Sequence, residues 1–334
     1  MSREAEKHMN AIRFHEFGKP LDVLAVEEIP TPEPGSGEVR VRLTNRPIHH
    51  ADLHTVRGVY GQLPKLPAAA GMEGMGLVDM LGEGVEGVVK GQRVIPLAFD
   101  GTWGEYVVVT AQNLIPVPEQ VSDESAAQFI INPVTAWVML TETLGLKKGD
   151  WVLQSAAGST VGRIVLQLAQ AKGYKTINLV RRHDQVQKLL DLGADAVICT
   201  ADEDVVSRIR ELTEDQGAHG ALDAVGGETG AQMVSALRPG ATMVVYGGLS
   251  GMPIPLKSRE MIFRGTAVRS FWIPLWFQST PPDRVSTTLM ELMQLIAQGR
   301  MTPPVEAKYS LDKFREAILH VERQGRSGKV LLTN

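Results

Sequence analysis

The sequence has almost no cysteine: Cys199 is the only one among its 334 residues. One cysteine forms no disulfide within the chain, and it excludes a zinc site built from several cysteines. This scarcity favours a reducing compartment, and we expect the protein to be cytoplasmic. The N-terminal stretch MSREAEKHM is charged and has no apolar core, so we expect no secretory signal there.

An excess of one charge and long apolar runs are also missing. The chain has 34 Lys and Arg against 38 Asp and Glu, a formal net charge of −4, with no basic stripe. Nucleic-acid binders usually carry such a stripe, so no nucleic-acid partner is expected. Apolar runs end well before the roughly 20 residues that cross a bilayer, so no membrane partner is expected either.

The chain is long enough for two domains, and its two parts differ in their pattern of apolar residues. Up to about residue 128 the apolar runs are short and strand-like, as in EVRVRLTNR and GTWGEYVVV, with almost no helical periodicity. From residue 150 onwards, apolar runs alternate with helical segments, beginning with WVLQSA and a helix face at Val161, Ile164, Val165 and Leu168. This alternation predicts a doubly wound parallel sheet.

The C-terminal part is predicted to return to the first domain. Residues 308–334 are interpreted as a strand, a helix with Phe314, Ile318 and Val321 facing inward, and the strand KVLLT. We therefore assign residues 1–131 and 300–334 to a β-rich, partly barrel-like domain, and residues 132–299 to the domain with the parallel sheet.

The most informative stretch is WVLQSAAGSTVGRIVLQLAQAKG. A buried strand runs into Gly158-Ser159-Thr160-Val161-Gly162 and directly on into an amphipathic helix. Gly158 is expected to let the backbone turn tightly and approach a pyrophosphate, and Gly162 to let the helix pack closely on the sheet. The helix N-terminus adds unpaired amides and a positive dipole end. This order of strand, turn and helix favours a dinucleotide site over a plain connecting turn.

The end of the next strand indicates which dinucleotide binds. About 20 residues after the glycines, a NAD site has an Asp or Glu for the ribose 2′-hydroxyl. This chain has Arg181, Arg182 and His183 there, and no acid before Asp184. Guanidinium groups suit a 2′-phosphate, so NADPH is the predicted cofactor; the alternative is a solvated arginine pair.

These segments resemble the zinc-free medium-chain dehydrogenases/reductases, and among them the trans-2-enoyl-thioester reductases of mitochondrial-type fatty acid synthesis. The resemblance covers nearly the whole chain from about Met9, with landmarks in ADLHTVRGVYGQLPKLP (51–67), GTWGEYVV (101–108), NPVTAWVML (132–140), TMVVYGGL (242–249) and SFWIPLW (270–276). It implies an α/β fold with a Rossmann doubly wound parallel sheet and a β-rich GroES-like substrate domain, a partly open barrel. It also implies a homodimer joined at the edges of the cofactor domains.

The positions that hold zinc in zinc-dependent relatives carry other residues here. The first ligand, usually a Cys, matches His49; the His of a Gly-His-Glu motif matches Met72, before Glu73; and the third ligand falls near Asn132. Catalytic zinc needs three protein ligands and an open position, so no metal is predicted.

A second set of residues near His49 looks like a metal cluster, because His50, His54 and Asp52 stand close by in the sequence. On a strand-to-loop segment these side chains need not converge. We expect the three histidines to line or border the substrate cleft instead.

Without a Lewis acid, reduction of an activated C=C bond is easier than alcohol oxidation. Hydride attacks the β-carbon, charge develops on the carbonyl oxygen, and a hydrogen-bond donor or acid assists. Tyr60, in GVYGQLPKLP, matches the catalytic Tyr of the enoyl-thioester reductases. A phenol with a pKa near about 10 stays protonated and can donate; composition alone would make Tyr60 a surface aromatic.

The resemblance also implies further cofactor contacts. These are Asn132 near the interdomain hinge, Tyr246, Gly247, Gly248 and Leu249 after a strand end, Phe271 and Trp272 flanking the nicotinamide, and Lys329 at the cofactor phosphate end or cleft. The alternative for each is ordinary packing or, for Lys329, a solvated charge.

Two departures from the enoyl-reductase pattern concern the substrate. The stretch between Arg182 and Leu192 is shorter and closer to the quinone-reductase branch, and Arg57 replaces a common Gln. The predicted function is NADPH-dependent reduction of a trans-2-enoyl thioester of CoA or acyl carrier. The alternatives are an NADPH:quinone or general enone oxidoreductase and a non-catalytic NADPH-binding protein.

Overall fold

The computed structural model describes residues 8–99, 101–323 and 325–334. In chain order the strands are β1 (His8–Phe14), β2 (Ala25–Pro30), β3 (Glu38–Pro47), β4 (Ala68–Ala69), β5 (Met75–Leu81), β6 (Arg93–Pro96), β7 (Tyr106–Thr110), β8 (Leu114–Pro116), β9 (Trp151–Gln154), β10 (Lys175–Val180), β11 (Ala196–Cys199), β12 (Ala218–Asp223), β13 (Leu237–Val245), β14 (Ala267–Ser270), β15 (Val305–Ser310) and β16 (Lys329–Thr333).

The helices are α1 (Pro20–Val23), α2 (His50–Val56), α3 (Asp123–Ala127), α4 (Asn132–Val138), α5 (Thr160–Lys172), α6 (Val186–Asp191), α7 (Val205–Leu212), α8 (Gly227–Ser235), α9 (Ser258–Arg264), α10 (Ile273–Ser279), α11 (Pro282–Ala297) and α12 (Phe314–Glu322). None of the helices described is both long and apolar enough to cross a membrane. The elements form two compact units: unit 1 contains the described residues up to Ile130 and from Pro303 onward, and unit 2 runs from Ile131 to Thr302.

Unit 2 is built on a parallel sheet with the strand order β11-β10-β9-β12-β13-β14. The order reverses between β9 and β12, and a doubly wound fold binds its ligand beyond the carboxyl ends of strands at such a point. Helix α5 buries the predicted apolar face, since Ile164 and Val165 have no exposed surface. It ends where Gly173 adopts a left-handed conformation, with φ 74°. The predicted α/β class and doubly wound parallel sheet are confirmed.

Unit 1 is rich in β structure, as expected. One sheet has the order β2-β1-β4, and a larger one runs β15-β16-β3-β5-β6-β8, with β7 also paired to β3. The last strand, β16, pairs antiparallel with β3, so the C-terminal segment completes the sheet that the N-terminal residues begin. Helix α12 packs near this sheet through Phe314, Ile318 and Val321, which are buried as predicted.

One local prediction is wrong. Residues 50–56 form helix α2 rather than a strand-to-loop segment. The helix begins with a capping box, in which the backbone N–H of His49 donates to Asp52 Oδ2 at 2.7 Å. At seven residues, α2 is too short to show the repeated apolar spacing that reveals longer helices.

Candidate active site

The turn between β9 and α5 has the form of a phosphate-binding loop. Ser159 caps the helix: its Oγ accepts the N–H of Gly162 at 3.1 Å, and its carbonyl oxygen accepts the N–H of Arg163 at 3.0 Å. Thr160 and Val161 occupy the first turn, where backbone amides have no intrahelical acceptor. These amides lie at the positive end of a 13-residue helix, which is a favourable place for a phosphate.

The two glycines of the loop act differently. A Cβ on Gly162 would lie 2.4 Å from the carbonyl oxygen of Ala157, so the close packing expected there requires glycine. The tight turn was predicted at Gly158, but the left-handed residue of the loop is Ala156, with φ 48°. A Cβ on Gly158 would meet only the end of the Gln185 side chain, at 2.7 Å. Gly158 therefore leaves the backbone open to a ligand and does not make the turn.

A buried polar network, which was not predicted from the sequence, joins the carboxyl ends of β9 and β12. Asp223, which has no exposed surface, accepts the Ser155 hydroxyl at 2.7 Å. It also accepts the N–H groups of Val225 at 2.9 Å and Gly226 at 3.0 Å. An Asp inside the apolar run GALDAV was the available signal, because ionisable residues are rarely buried without partners.

Arg181, Arg182 and His183 follow β10 as the sequence indicated. Arg182 forms a two-point ion pair with Asp184, with Nε–Oδ1 at 2.8 Å and Nη2–Oδ2 at 3.0 Å. This contact lowers the pKa of the Asp184 carboxyl. A 2′-phosphate also presents two oxygens to a guanidinium at once, so it can replace Asp184 on the Arg182 guanidinium.

The residues after β13 include an orphaned polar group. The Tyr246 hydroxyl is buried and has no hydrogen-bond partner among the described residues. Burial, with Asp223 nearby, raises the pKa of this hydroxyl above its ordinary value. Leaving a buried donor unpaired costs about 1–3 kcal/mol, so the group fits a bound polar ligand. Gly247 belongs to the same turn, where a Cβ would lie 3.0 Å from the Ala224 carbonyl oxygen.

The other predicted cofactor residues of unit 2 lie at element ends. Asn132 is buried at the start of α4. Phe271 follows β14 and donates its backbone N–H to the Val245 carbonyl at 2.9 Å, and Trp272 caps α10. Gly248 and Leu249 are exposed. Together with the loop amides, Arg182 and the Tyr246 hydroxyl, these positions fit a dinucleotide.

Tyr60 lies in unit 1, in the tight loop after α2. Gly58 and Gly61 on either side adopt left-handed conformations, with φ 74° and φ 40°. The N–H of Val59 donates to the His54 carbonyl at 3.0 Å, which fixes the start of the loop. Tyr60 is half-buried, so it is neither a core aromatic nor fully in solvent. Arg57, at the end of α2, forms an ion pair with Glu322 of α12.

His49 and Lys329 contact each other inside unit 1, although the sequence suggested separate roles. Lys329 Nζ lies 2.7 Å from His49 Nδ1, and His49 Nε2 lies 2.5 Å from Glu73 Oε1. Burial, with Lys329 beside it, lowers the pKa of His49 to about 3, so the ring is neutral. The Lys329 ammonium therefore donates to Nδ1, and Nε2–H donates to Glu73.

The burial of these residues separates His49 from the histidines of α2 and decides one alternative for Lys329. His49 is only 3% exposed, so it is a core residue of unit 1, whereas His50 and His54 are exposed on α2. Lys329 is buried as well, which excludes the alternative of a solvated charge. Asp52 joins the cluster by accepting the His49 backbone N–H through Oδ2, while its Oδ1 has no partner among the residues described.

Comparisons with known proteins bear on both units. Residues 35–119 match the family model of the alcohol dehydrogenase GroES-like domain, and residues 160–294 match that of the zinc-binding dehydrogenases. The mitochondrial enoyl-[acyl-carrier-protein] reductase of Rattus norvegicus is 35% identical over 317 residues, 93% of this chain and 85% of the rat protein. The Homo sapiens protein of the same name is 34% identical over 331 residues, 97% of this chain and 88% of the human protein.

The chain belongs to the medium-chain dehydrogenase/reductase superfamily. It is an oxidoreductase, and it is homologous to the enoyl-acyl-carrier reductases of that superfamily. The resemblance inferred from the sequence is confirmed, and so is the combination of a GroES-like domain with a Rossmann-like parallel sheet.

Quinone reductases are among the solved structures that this chain resembles. A putative NADPH:quinone reductase from Bacillus thuringiensis has a TM-score of 0.93 and 34% identity, covering 98% of this chain and 100% of that one. Quinone oxidoreductase of Escherichia coli, complexed with NADPH, has a TM-score of 0.88 and 27% identity, covering 97% and 100%.

The zinc implied by one family model does not fit the residues at the matching positions. Both ring nitrogens of His49 are already engaged, one by Lys329 and the other by Glu73. Met72 supplies a thioether in place of a histidine, so three ligands and an open position are not available. These positions therefore supply no metal for the reaction.

Proposed function

We propose that this oxidoreductase uses NADPH to reduce the C=C bond of trans-2-enoyl thioesters. The observation that carries the proposal is the similarity to enoyl-acyl-carrier reductases over 93–97% of the chain. The phosphate loop and the arginine pair after β10 support NADPH as the cofactor.

The residues of unit 2 have separable tasks in holding NADPH. The amides of Thr160 and Val161, with the α5 dipole, suit the pyrophosphate, and Arg182 suits the 2′-phosphate once it leaves Asp184. The Tyr246 hydroxyl offers a hydrogen bond that no described residue takes. When bound, NADPH supplies hydride to the β-carbon of an activated double bond.

Tyr60 is the proposed catalytic residue. Its hydroxyl can donate a hydrogen bond to the thioester carbonyl oxygen, where negative charge develops, or deliver a proton to the α-carbon. Gly58 and Gly61 adopt the left-handed conformations that favour glycine, and these shape the tight loop that carries Tyr60.

A substrate panel tests the proposal. NADPH oxidation is followed by absorbance with crotonyl-CoA, a longer 2-enoyl-CoA and a simple quinone under identical conditions. Faster turnover, measured as kcat/KM, on an enoyl-CoA than on the quinone is expected. Quinone turnover without enoyl-CoA turnover would contradict the proposed reduction of enoyl thioesters. Binding of NADPH without turnover of either substrate would indicate a non-catalytic protein.

The second candidate function is NADPH:quinone or general enone reduction. It is favoured by the likeness to the Bacillus thuringiensis protein, whose TM-score of 0.93 accompanies 34% identity. The two functions share the fold and cofactor and differ in the acceptor, so the substrate panel separates them.

We also propose that the protein is a homodimer joined through the β14 edge of unit 2. β14 ends the parallel sheet, and a free strand edge is a ready pairing site. Ile262 and Phe263 of α9 are 74% and 75% exposed, which is unusual for large apolar side chains. Sedimentation should give a dimer for the wild type and a monomer for Phe263→Glu; a dimeric variant would contradict this interface.

We also propose a cytoplasmic location, which was inferred from the single cysteine.

A further inference from the structure

A cluster of three metal-ligand side chains lies in unit 2 at the carboxyl edge of the parallel sheet. β10 and β11 are neighbours, with Val180 paired to Cys199, and the Thr200 N–H donates to the Val180 carbonyl at 2.8 Å. His183 follows Val180 by three positions, and Asp202 follows Cys199 by three. The register of two parallel strands therefore brings the segments that carry His183 and Asp202 side by side.

A tight turn brings Asp202 back over Cys199. The Cys199 carbonyl oxygen accepts the N–H of Asp202 at 3.4 Å and that of Glu203 at 3.1 Å. The Cys199 N–H donates to Glu203 Oε1 at 2.7 Å, which closes the turn from the other side. The ligand atoms of His183, Cys199 and Asp202 consequently lie within 4.8 Å of one another, and His183 Nε2 is 2.5 Å from Asp202 Oδ2.

The burial of the three side chains suits an open metal site. Cys199 has no exposed surface, whereas the side chains of His183 and Asp202 are 69% and 54% exposed. The thiol lies on the buried side of the cluster, and the imidazole and the carboxylate lie on the solvent side. A fourth coordination position of a bound ion would be open to water. One imidazole, one thiolate and one carboxylate match the preferences of Zn²⁺ and exclude Mg²⁺ and Ca²⁺, which take oxygen ligands.

Two arginines on the segments near the cluster are each paired with a carboxylate, which reduces their repulsion of a cation. Arg182 is held by Asp184, and Arg208 pairs with Glu203 at 3.4 Å between Nε and Oε2. Metal binding replaces the proton of the Cys199 thiol, which passes to solvent, and the sulfur forms the bond to the ion. His183 binds through the lone pair of a ring nitrogen, and Asp202 binds through a carboxylate oxygen.

We propose that His183, Cys199 and Asp202 form a binding site for a single thiophilic divalent ion, with Zn²⁺ as the favoured occupant. The site is separate from the His49 cluster of unit 1, and its existence does not depend on the substrate or on the proposed reduction. His183 is also a predicted cofactor residue, so occupancy of the site places an ion next to Arg182, where the 2′-phosphate of NADPH is proposed to bind.

Cobalt titration of the whole chain, without NADPH or substrate, tests the site. Co²⁺ bound by a thiolate gives a sulfur-to-metal charge-transfer absorption, and Cys199 is the only cysteine that can produce it. The wild type should bind one equivalent with this absorption, and Zn²⁺ should displace it. Cys199→Ser should abolish the absorption and weaken Zn²⁺ binding, measured by chelator competition, at least about tenfold, since even the loss of outer-shell partners costs 10–100-fold.

Asp202→Asn provides a second variant that leaves the core intact, because Asp202 is exposed. It should keep the charge-transfer absorption while weakening Zn²⁺ at least about tenfold. Asp191→Asn, which changes an exposed carboxylate at the end of α6, is the matched control and should leave Zn²⁺ affinity unchanged. Absence of the absorption in the wild type, or equal Zn²⁺ affinity in the wild type and both ligand variants, would overturn the proposal. Neither result changes what the substrate panel shows about enoyl-thioester reduction, so the two proposals can fail separately.

Discussion

Replacing Lys329 by Met tests whether a lysine holds together the buried cluster of unit 1. Methionine fills much of the same volume but removes the charge 2.7 Å from His49 Nδ1. The carboxylates of Glu73 and Asp52, which are 1% and 2% exposed, then lose their cation. Removing one partner from a buried ion pair leaves the other charge uncompensated, and this typically costs about 3–5 kcal/mol.

For Lys329→Met, we expect the loss of unfolding free energy to lie at the lower end of that range. Burial raises the pKa of Asp52 to about 6, so this carboxyl can take up a proton when the lysine is gone. We therefore expect the free energy of unfolding to fall by about 3 kcal/mol at pH 7, and by less at pH 5, where protonation is easier.

Urea unfolding followed by circular dichroism measures this loss. Lys308→Met is the matched control, because Lys308 pairs with Glu124 at the surface and its side chain is 48% exposed. A surface ion pair contributes about 0–1 kcal/mol, so the control should lose no more than that. Equal losses in the two variants, or a loss at Lys329 that grows as the pH falls, would refute the account of the cluster.

The unfolded chain protonates His49 near its usual pKa of about 6.5, whereas the folded chain does so only near about 3; the unfolded state therefore binds more protons between these values. Stability from this group is lost as the pH falls through that window, by up to about 1.4 kcal/mol per pH unit, and His49→Gln should flatten the urea-measured profile there. Gly162→Ala forces a Cβ to 2.4 Å from the Ala157 carbonyl oxygen, so we expect calorimetry to show a loss of about 1–3 kcal/mol. Arg182→Gln should weaken NADPH binding about tenfold in a fluorescence titration and leave NADH unchanged, because a charge-assisted hydrogen bond contributes about 1.5–3 kcal/mol and Asp184 competes for the same guanidinium.

Each of these has a matched comparison. For His49, Asp52 titrates in the opposite sense over part of the window in both proteins, so the prediction is tested on the difference between the two profiles. For Gly162, Gly248→Ala is the control, since nothing lies within 4 Å of a Cβ there. For Arg182, equal weakening of NADPH and NADH would show that the residue does not recognise the 2′-phosphate.

The parallel sheet and its loop were predictable because their signals are local. The apolar spacing of α5 repeats over 13 residues, and the Ser159 cap and Gly162 stand within one turn of its start. The segment after β10 was predictable for the same reason, since its arginines directly follow an apolar strand. Such patterns need only the periodicity of helix and strand.

Contacts between distant residues were beyond sequence analysis. Lys329 meets His49 across 280 positions, and a lysine near a chain end gives no sign that it will be buried. Asp223 and Ser155, 68 positions apart, meet only because β9 and β12 are neighbours in the sheet. Helix α2 was missed because its capping box, formed by His49 and Asp52, does not use the residues that usually mark a helix start.

The most direct test of the central claim is the effect of Tyr60→Phe on NADPH oxidation with crotonyl-CoA. The variant keeps the ring and removes only the hydroxyl that the account assigns to the carbonyl oxygen or the α-carbon. We expect kcat with crotonyl-CoA to fall at least about 100-fold, the usual effect of losing a general acid or an oxyanion donor, while NADPH binding is retained. Unchanged crotonyl-CoA turnover in Tyr60→Phe would contradict the account.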